Sequence, residues 1–483
     1  MKHTIILLLL FCSPLSFAQP GIDWGPEIII ADGAIYGNIR PRIALTAGDI
    51  PVVIWGEGLE GNLYTARLNG TVFTQPTNIL PENVATYLTS WTGPDIAAKG
   101  DTVVAVFKQV PLETGHVLTV RSLDGGITWS DTIRADSHNN GGVVWLPSMD
   151  MDEEGNPSII YMAHDPVWTA PHYVVSHSTD HGMTYEVEMN IATSIPDEAC
   201  DCCPAEYVID GNQHALLFRN NASNIRDIYA LYSEDDGLTF PETENVDQLN
   251  WNVSSCPSTG PDGVFNNGTM LTVYASRAEG NYRVYLSSTA TNPGFGFISR
   301  SMMTAPLNMN GSQNFPRIDG SNDTIVMIWQ ESETSNYEIY SAITTTGDVS
   351  QLMNSKALVN ISTSGTQSHP DILYSNGLIH AVYQDAPTGS VIYRQGTVGT
   401  LGLEDDSPSA IRIFPNPNTS GTFRLTGNPE SVEVYDTSGK PISFDIQKLL
   451  SQTILKLTED LPGVFFLKCT YDGTSTIMKL VCL

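Results

Sequence analysis

The sequence predicts an all-β chain: a β-propeller of seven blades, with six as the alternative, followed by a small C-terminal β-sandwich. Three observations predict it. A proline-anchored motif recurs seven times at an even period. Glycine and proline are plentiful (40 and 29 residues) while only 16% of residues are charged, and the repeated motif stops after Gly402. Such a composition suits short strands joined by many turns.

The repeat is a proline, a short apolar stretch, a polar turn, then an apolar run ending in an aromatic residue. It reads PRIALTAGDIPVVIW from Pro41, PDIAAKGDTVVAVF from Pro94, PSMDMDEEGNPSIIY from Pro147 and PAEYVIDGNQHALLF from Pro204. It continues as PDGVFNNGTMLTVY from Pro261, PRIDGSNDTIVMIW from Pro316 and PDILYSNGLIHAVY from Pro370. Successive prolines lie 53, 53, 57, 57, 55 and 54 residues apart. Each copy reads as a short strand, a tight turn and a more apolar second strand. A third strand follows, as in LYTARL (63–68) and EIYSAI (338–343), and then a fourth. Four antiparallel strands repeated around an axis leave only short, protected edges. The last copy lacks an obvious fourth strand after VIYR (391–394), and DWGPEIII (23–30) is the segment expected to supply it.

At 483 residues the chain is long enough for one large repeat domain and an accessory module. The expected division is a signal peptide over 1–18, a propeller over 19–400, a linker over 401–410 and a final domain over 411–483. Lys2 and His3 precede an apolar run over 5–11, and Ser16-Phe17-Ala18 offers small residues for cleavage before Gln19. That run is too short to anchor the chain across a bilayer, and no later segment is long and apolar enough. Cys12 follows the bulky Phe11, which suits lipoprotein processing poorly. The expected location is secreted or on the outer cell surface, where disulfides persist. The formal net charge of −30 argues against nucleic acid as a partner, because it offers no basic surface to displace counterions. It also means that any site for an anion must be a local cluster of arginines.

Three copies carry a sharper motif, Ser-x-Asp-x-Gly-x-Thr-aromatic: SLDGGITW (122–129), STDHGMTY (178–185) and SEDDGLTF (233–240). Asp124, Asp180 and Asp235 stand 56 and 55 residues apart and 30, 33 and 31 residues after the blade prolines. A short carboxylate can accept backbone N–H bonds across such a turn, and the glycine permits positive φ. The structural reading, a repeated turn staple, is preferred to calcium binding or catalysis. The motif resembles the Asp-box, or BNR repeat, of sialidases and related propellers, over residues 20–400. That resemblance implies that the boxes lie on the face away from the active site.

Topology therefore directs attention to the opposite face, where first strands begin and second strands end. Arg40, Arg42, Asp95, Glu206, Asp262, Arg317 and Asp371 lie near first-strand starts. Glu57, Lys108, His164, Arg219, Arg277, Glu331 and Asp385 lie near second-strand ends. They form either a solvated rim or a polar ligand site. Trp91, Trp145 and Trp251 precede first strands, and Trp168 lies in a nearby loop; such rings either stack on sugars or pack between blades. The family resemblance implies three arginines on a sugar carboxylate, a Tyr–Glu nucleophile and an acid/base carboxylate. Arg42, in PRIAL (41–45), resembles the first of those arginines; Arg219, Arg277 and Arg317 are candidates for the others, and Asp95 or Glu206 for the acid. Asp262 and Asp371 join the tryptophans as substrate-binding candidates. No Tyr–Glu pair is assigned.

Cys200, Cys202, Cys203 and Cys256 fall in loops leading to adjacent blades, so their thiols should be neighbours. Disulfide bracing is the first expectation and a thiolate metal site, helped by His164 or His369, the second. No cofactor is otherwise required.

After the polar stretch LEDDSPSA (403–410), IRIFPNPNTSGTFRL (411–425), VEVYDTSGKPI (432–442) and LPGVFFLKCTYDGTSTIMKLVCL (461–483) alternate apolar residues with turns. Cys469 and Cys482 could pair in that sandwich. The segments resemble the type A sorting domain of the Bacteroidetes type IX secretion system, which implies that machinery as a partner. The expected function is an extracellular glycan-acting propeller, an exo-glycosidase of the sialidase kind or a divergent relative. A propeller that only binds carbohydrate or protein is the alternative, and a Cys-ligated metal enzyme a distant third.

Overall fold

The second strand of each repeat is apolar almost throughout, because it is buried on both of its faces. Thr102–Lys108 and Ile50–Glu57, for example, are buried at every residue after the first. A computed structural model of the chain describes residues 19–33, 38–138, 141–193, 195, 197–291, 294–303, 310–332, 336–401, 413–414, 421–426, 429–448, 452–458, 462–471 and 474–482. The leader expected over 1–18 and, of the linker expected over 401–410, residues 402–410 lie outside the described residues. The fold is all-β and propeller-like, and among the described residues no helix is long and apolar enough to cross a membrane. The chain divides into two units, Met1–Leu401 and Gly402–Leu483.

Among its described residues the first unit holds seven antiparallel sheets. We number them by their first strands: Asn38–Thr46 (sheet 1), Asp95–Lys99 (2), Val144–Met151 (3), Glu206–Asp210 (4), Asp262–Asn266 (5), Gln313–Ser321 (6) and Gln367–Ser375 (7). In sheet 7 the N-terminal strands Gln19–Trp24 and Ile28–Ala31 pair with Ser390–Leu401, so the two ends of the unit complete one sheet. The seven first strands pack on one another in cyclic order, sheet 7 against sheet 1. Each successive pair of sheets shares one buried apolar cluster. Val104, Val106, Ile159 and Tyr161 join sheets 2 and 3, and Ile43, Trp55, Val382 and Tyr393 join sheets 1 and 7.

The first strands are also tied to each other by side chains. Asp95 Oδ2 accepts from Met149 N at 3.1 Å (sheet 2 to 3) and Asp150 Oδ2 from Ile209 N at 2.8 Å (sheet 3 to 4). Asp262 Oδ2 accepts from Ile318 N at 2.7 Å (5 to 6), Asp319 Oδ2 from Tyr374 N at 2.7 Å (6 to 7) and Asp371 Oδ2 from Ile43 N at 3.1 Å (7 to 1). Inner strands have no further strand beside them, and these carboxylates satisfy the N–H groups left over.

The Asp-box turns lie at the other end of the sheets, between third and fourth strands. Asp124 accepts from Ser122 Oγ (2.7 Å), Ile127 N (3.1 Å), Thr128 N (2.8 Å) and Thr128 Oγ1 (2.7 Å). Asp180 and Asp235 repeat the bonds to Ser178 and Thr184 and to Ser233 and Thr239. Bonding led by Thr128 holds the Asp124 carboxyl down to about 2, and Thr239 does the same for Asp235. Gly126, at φ 86°, brings the turn against Val52 of sheet 1, where a Cβ would stand 3.0 Å from a Val52 methyl. These aspartates are therefore turn staples committed to their own loops.

The described residues of the second unit form two sheets around an apolar cluster that includes Phe423, Val434, Leu455, Phe465, Leu467 and Leu480. Cys469 and Cys482 are both buried there but form no disulfide with each other, contrary to the pairing the sequence suggested. The Asp-x-x-Gly-Lys segment is a tight turn in which Asp436 Oδ1 accepts from Ser438 N (2.8 Å) and Lys440 N (2.9 Å), with Gly439 at φ 80°.

Sheet closure makes a direct test of the inter-sheet bonds. Asp371→Ala leaves the buried Ile43 N–H unpaired and removes one carboxylate, at an expected cost of about 2–4 kcal/mol. Asp49→Ala removes one part-buried and one exposed side-chain bond between the same two sheets, to Ser375 and Asn376, and is expected to cost under about 1 kcal/mol. Urea unfolding of both variants measures the contrast; equal losses would remove the special role of Asp371.

Candidate ligand site

The residue following most blade prolines points to the axis, and these residues meet there. Arg42 Nη2 lies 3.0 Å from Asp95 Oδ1 and 3.5 Å from Glu206 Oε2, and Arg42 Nη1 lies 3.5 Å from Asp371 Oδ1. Arg317 Nη1 lies 2.5 Å from Glu206 Oε2 and 3.0 Å from Asp262 Oδ1, with its Nε 4.0 Å from Asp371 Oδ1. Ser148 Oγ completes the ring by donating to Glu206 Oε1 at 3.1 Å. All six charged side chains are at most 14% exposed. Two arginines face four carboxylates, so burial favours retention of protons. Burial pushes the Glu206 carboxyl up to about 7 despite its arginine partners, and raises Asp262 as well.

A second group is set by backbone conformation. The pairing of first and second strands slips at Ile39/Arg42, Trp145/Ser148, Asn314/Arg317 and Ser368/Asp371. At each slip the residue before the proline takes a positive φ: Arg40 (53°), Leu146 (52°), Phe315 (49°) and His369 (52°). Proline offers no N–H to the ladder, so a bulge forms there and redirects the preceding side chain. Arg40, Phe315 and His369 thereby line a narrow mouth of about 50 Å³ above the ring. A wider channel of about 420 Å³ opens below it, lined in part by Asp150, Asp210 and Asp319.

Arg40 differs from the other two arginines. Its guanidinium lies over the Phe315 ring at 5.6 Å and reaches Ser90 O at 3.5 Å. Among the described residues, no carboxylate stands within ion-pair distance of it. Burial, then the charges of Arg42 and Arg317, pull its pKa below the ordinary arginine value, while it stays cationic at neutral pH. Phe315 in turn packs 4.9 Å from His369. Burial and then Arg40 push His369 down to about 3, so its imidazole is neutral, and among the described residues its buried Nδ1 has no hydrogen-bond partner. The mouth thus offers a cation outside any ion pair, an aromatic ring and a neutral imidazole.

The ring unites Arg42, Asp95, Glu206, Asp262, Arg317 and Asp371, as residues of one face should be. It does not unite the remaining candidates. Arg219, expected as a substrate arginine, is fully buried and donates to main-chain oxygens of Thr259 (3.3 Å), Arg226 (2.6 Å) and Ala275 (2.8 Å). It braces sheets 4 and 5. Arg277 is exposed, bonded to Gly280 O at 3.3 Å and stacked near Tyr282. Neither lines the mouth. Trp251 is buried beneath Arg219, 5.1 Å from its guanidinium, and Trp145 is buried between Trp91 and Trp168, with its Nε1 donating to His164 Nε2 at 3.2 Å. These tryptophans pack between sheets and do not line the mouth; Trp168, at 38% exposed, is the outermost of them. Other rim residues are engaged in their own loops: Glu57 accepts from Leu59 and Glu60 N, Lys108 donates to Gly115 O, and Glu331 accepts from Trp329 and Lys356. Arg40, His369 and Phe315 are the residues that sequence reasoning undervalues, although all three share one signal, the position just before a blade proline.

Cys202 and Cys256 form a disulfide between the loops leading to sheets 4 and 5, whereas Cys200 and Cys203 are buried free thiols. The sulfurs of Cys200, Cys202 and Cys203 lie within 4.8 Å of one another. One of the three is committed to the disulfide, and the Arg226 guanidinium already occupies the cation position at Cys200, 2.9 Å from its Sγ. That donor set fits a metal ion poorly.

The channel carboxylates predict a pH effect on stability. Burial pushes Asp150 and Asp319 up to about 7. Their folded pKa exceeds the unfolded value, so their contribution is full below about pH 4 and is lost as pH rises through about 7. Buried His214, His369 and His380, pushed down to between about 3 and 4, shift stability the opposite way. Urea unfolding of wild type and Asp150→Asn/Asp319→Asn at pH 5.5 and 8.5 cancels that histidine effect. Wild type is expected to lose stability relative to the variant as pH rises; a pH-independent difference contradicts the assignment.

The BNR repeat-like domain family matches residues 59–328. Curated proteins give no match to the sequence. Among solved structures, a protein of unknown function from Dyadobacter fermentans is similar at 13% identity, covering 78% of this chain and 100% of that one, TM-score 0.45. Trypanosoma rangeli sialidase in complex with the inhibitor DANA is similar at 8% identity, covering 96% and 89%, TM-score 0.45. A PL25 ulvan lyase bound to -[GlcA(1-4)Rha3S]- is similar at 10% identity, covering 79% and 95%, TM-score 0.49.

Proposed function

Because the chain belongs to the BNR repeat-like domain family, we propose that it is an extracellular glycan-acting protein, a seven-bladed propeller whose mouth receives the carboxylate of an acidic sugar. The observation that carries this reading is Arg40, a cation in the mouth that, among the described residues, stands in no ion pair, whereas Arg42 and Arg317 are each held by carboxylates. A carboxylate arriving there gains charge-assisted hydrogen bonds at a site already stripped of much of its water. Phe315 presents an apolar face beside the guanidinium and the neutral His369 can accept or donate a bond to a hydroxyl. In the hydrolytic form of the proposal, Glu206 holds a proton near neutrality and supplies it to the leaving oxygen, as an exo-glycosidase of the sialidase kind or a divergent relative.

One observation favours a second reading, a propeller that binds without turnover. The mouth lining contains no tyrosine among the described residues to pair with a glutamate as nucleophile. Tyr–Glu pairs found elsewhere, Tyr161 with Glu188, Tyr285 with Glu279 and Tyr383 with Glu27, do not line it.

The C-terminal unit is read as a β-sandwich sorting domain of the type IX system, placing the mature protein outside the cell. Its Asp436 turn and two-sheet core support that reading.

A panel of fluorogenic glycosides, including sialosides and uronides, tests the proposal, with calorimetric binding of the free acidic sugars. Arg40→Ala is expected to weaken binding by about 1.5–3 kcal/mol, roughly ten- to a hundredfold. Wild-type turnover is expected to fall above about pH 7, as Glu206 loses its proton, and Glu206→Gln to keep binding and lose turnover. Arg40-dependent binding without turnover on any substrate selects the second reading. Failure of every acidic sugar to bind would sink both.

A further inference from the structure

Three of the four cysteines around sheets 4 and 5 stand in a row of sulfurs. The Cys200 Sγ lies 3.1 Å from Cys203 Sγ on one side and 3.6 Å from Cys202 Sγ on the other. Cys202 is half-buried and bonded to Cys256, which is exposed; Cys200 and Cys203 have no exposure at all. Only two residues separate Cys200 from Cys203, and the two share one turn, with Cys203 N donating to Cys200 O at 3.4 Å. Arg226, itself buried, directs its Nη1 at Cys200 Sγ from 2.9 Å.

We propose that Cys200 and Cys203 are a nucleophilic dithiol that exchanges with the Cys202–Cys256 disulfide, interconverting a cross-link between two loops and a cross-link within one. Cys200 is the attacking sulfur. It is the thiol held beside a fixed cation, and it faces the disulfide sulfur of Cys202 directly. Donation from the Cys203 thiol, with Arg226, outweighs burial and brings Cys200 down to about 7, whereas burial pushes Cys203 well up.

The chemistry balances within the chain. The Cys200 thiolate attacks Cys202 Sγ, the Cys200–Cys202 bond forms, the Cys202–Cys256 bond breaks, and Cys256 leaves as a thiolate that takes a proton from solvent. Cys203 then loses its proton and attacks Cys200, forming Cys200–Cys203 and releasing Cys202 as a thiolate, which is protonated in turn. Two thiols and one disulfide stand on each side, so no external oxidant or reductant is needed. The exchange exposes the reactive thiol of Cys256 at the surface. It also releases the covalent brace between the loops leading to Glu206 and Asp262, the two carboxylates that share Arg317.

Native alkylation of the full-length protein with N-ethylmaleimide at pH 8, followed by acid quench and peptide mapping, tests this. Cys256 is expected to become labelled with time while a Cys200–Cys203 disulfide accumulates in step with it. Cys200→Ser is expected to abolish that labelling, and Cys203→Ala to stop the reaction before Cys200–Cys203 forms. The wild-type time course decides even if a variant does not fold. Cys256 left unlabelled with Cys202–Cys256 intact overturns the proposal, as does isolation of the protein with both pairs already oxidised. Labelling of Cys256 that persists in Cys200→Ser overturns it too, since the disulfide would then open without Cys200.

Discussion

The structure depends on how the innermost strands of seven sheets satisfy the backbone groups that face no further strand. An N–H left unpaired at a dry inter-sheet junction costs about as much as a lost hydrogen bond. Here a carboxylate on one first strand accepts the N–H of the next, as Asp371 does for Ile43 where the last sheet meets the first. Asp95, Asp150, Asp262 and Asp319 do the same at four other junctions. Collecting carboxylates around one axis creates repulsion, and Arg42 and Arg317 offset part of it by each touching three of them. The charged ring is first a solution to closing the sheets. Any chemistry at Glu206 operates inside that constraint.

Sheets 4 and 5 are joined by different means. Arg219 reaches from sheet 4 to the main chain of sheet 5 and its approach, and Cys202–Cys256 ties the two incoming loops. A guanidinium buried completely against three carbonyls presents no donor to a ligand in the mouth. Arg40 differs from its neighbours in another way: among the described residues it is the one mouth arginine that stands in no ion pair. Its position is a consequence of the bulge before Pro41, so the backbone defect that interrupts the ladder also presents the ligand-facing side chain.

Much of the architecture is legible from the spacing of prolines, because each blade proline opens a first strand and the charged residue beside it faces the axis. That is why spacing alone groups Arg42, Asp95, Asp262, Arg317 and Asp371. The pairing of 23–30 with the final sheet is legible for a related reason: the last repeat lacks a strand, and only the other chain end can supply it. The roles within the group are less legible. Whether Arg40 or Arg42 is free of carboxylates depends on partners from sheets far apart in sequence. The sign of φ at Arg40, Phe315 and His369 follows from a register slip that composition does not encode. Arg219 and Trp251 look like ligand residues by type, yet a long side chain at the end of an inner strand can turn inward to main-chain oxygens as readily as outward. Cysteine spacing likewise places four sulfurs together without choosing which two bond.

Hydrogen–deuterium exchange at single-residue resolution tests the role of the inner-strand bonds most directly. The amides of Ile43, Met149, Ile209, Ile318 and Tyr374 bond to side-chain carboxylates and not to a neighbouring strand. If those bonds hold the ring together, the five amides exchange only through global unfolding, as slowly as the central amides of the second strands. Exchange at the rate of surface turn amides, with the second strands still protected, would contradict the account.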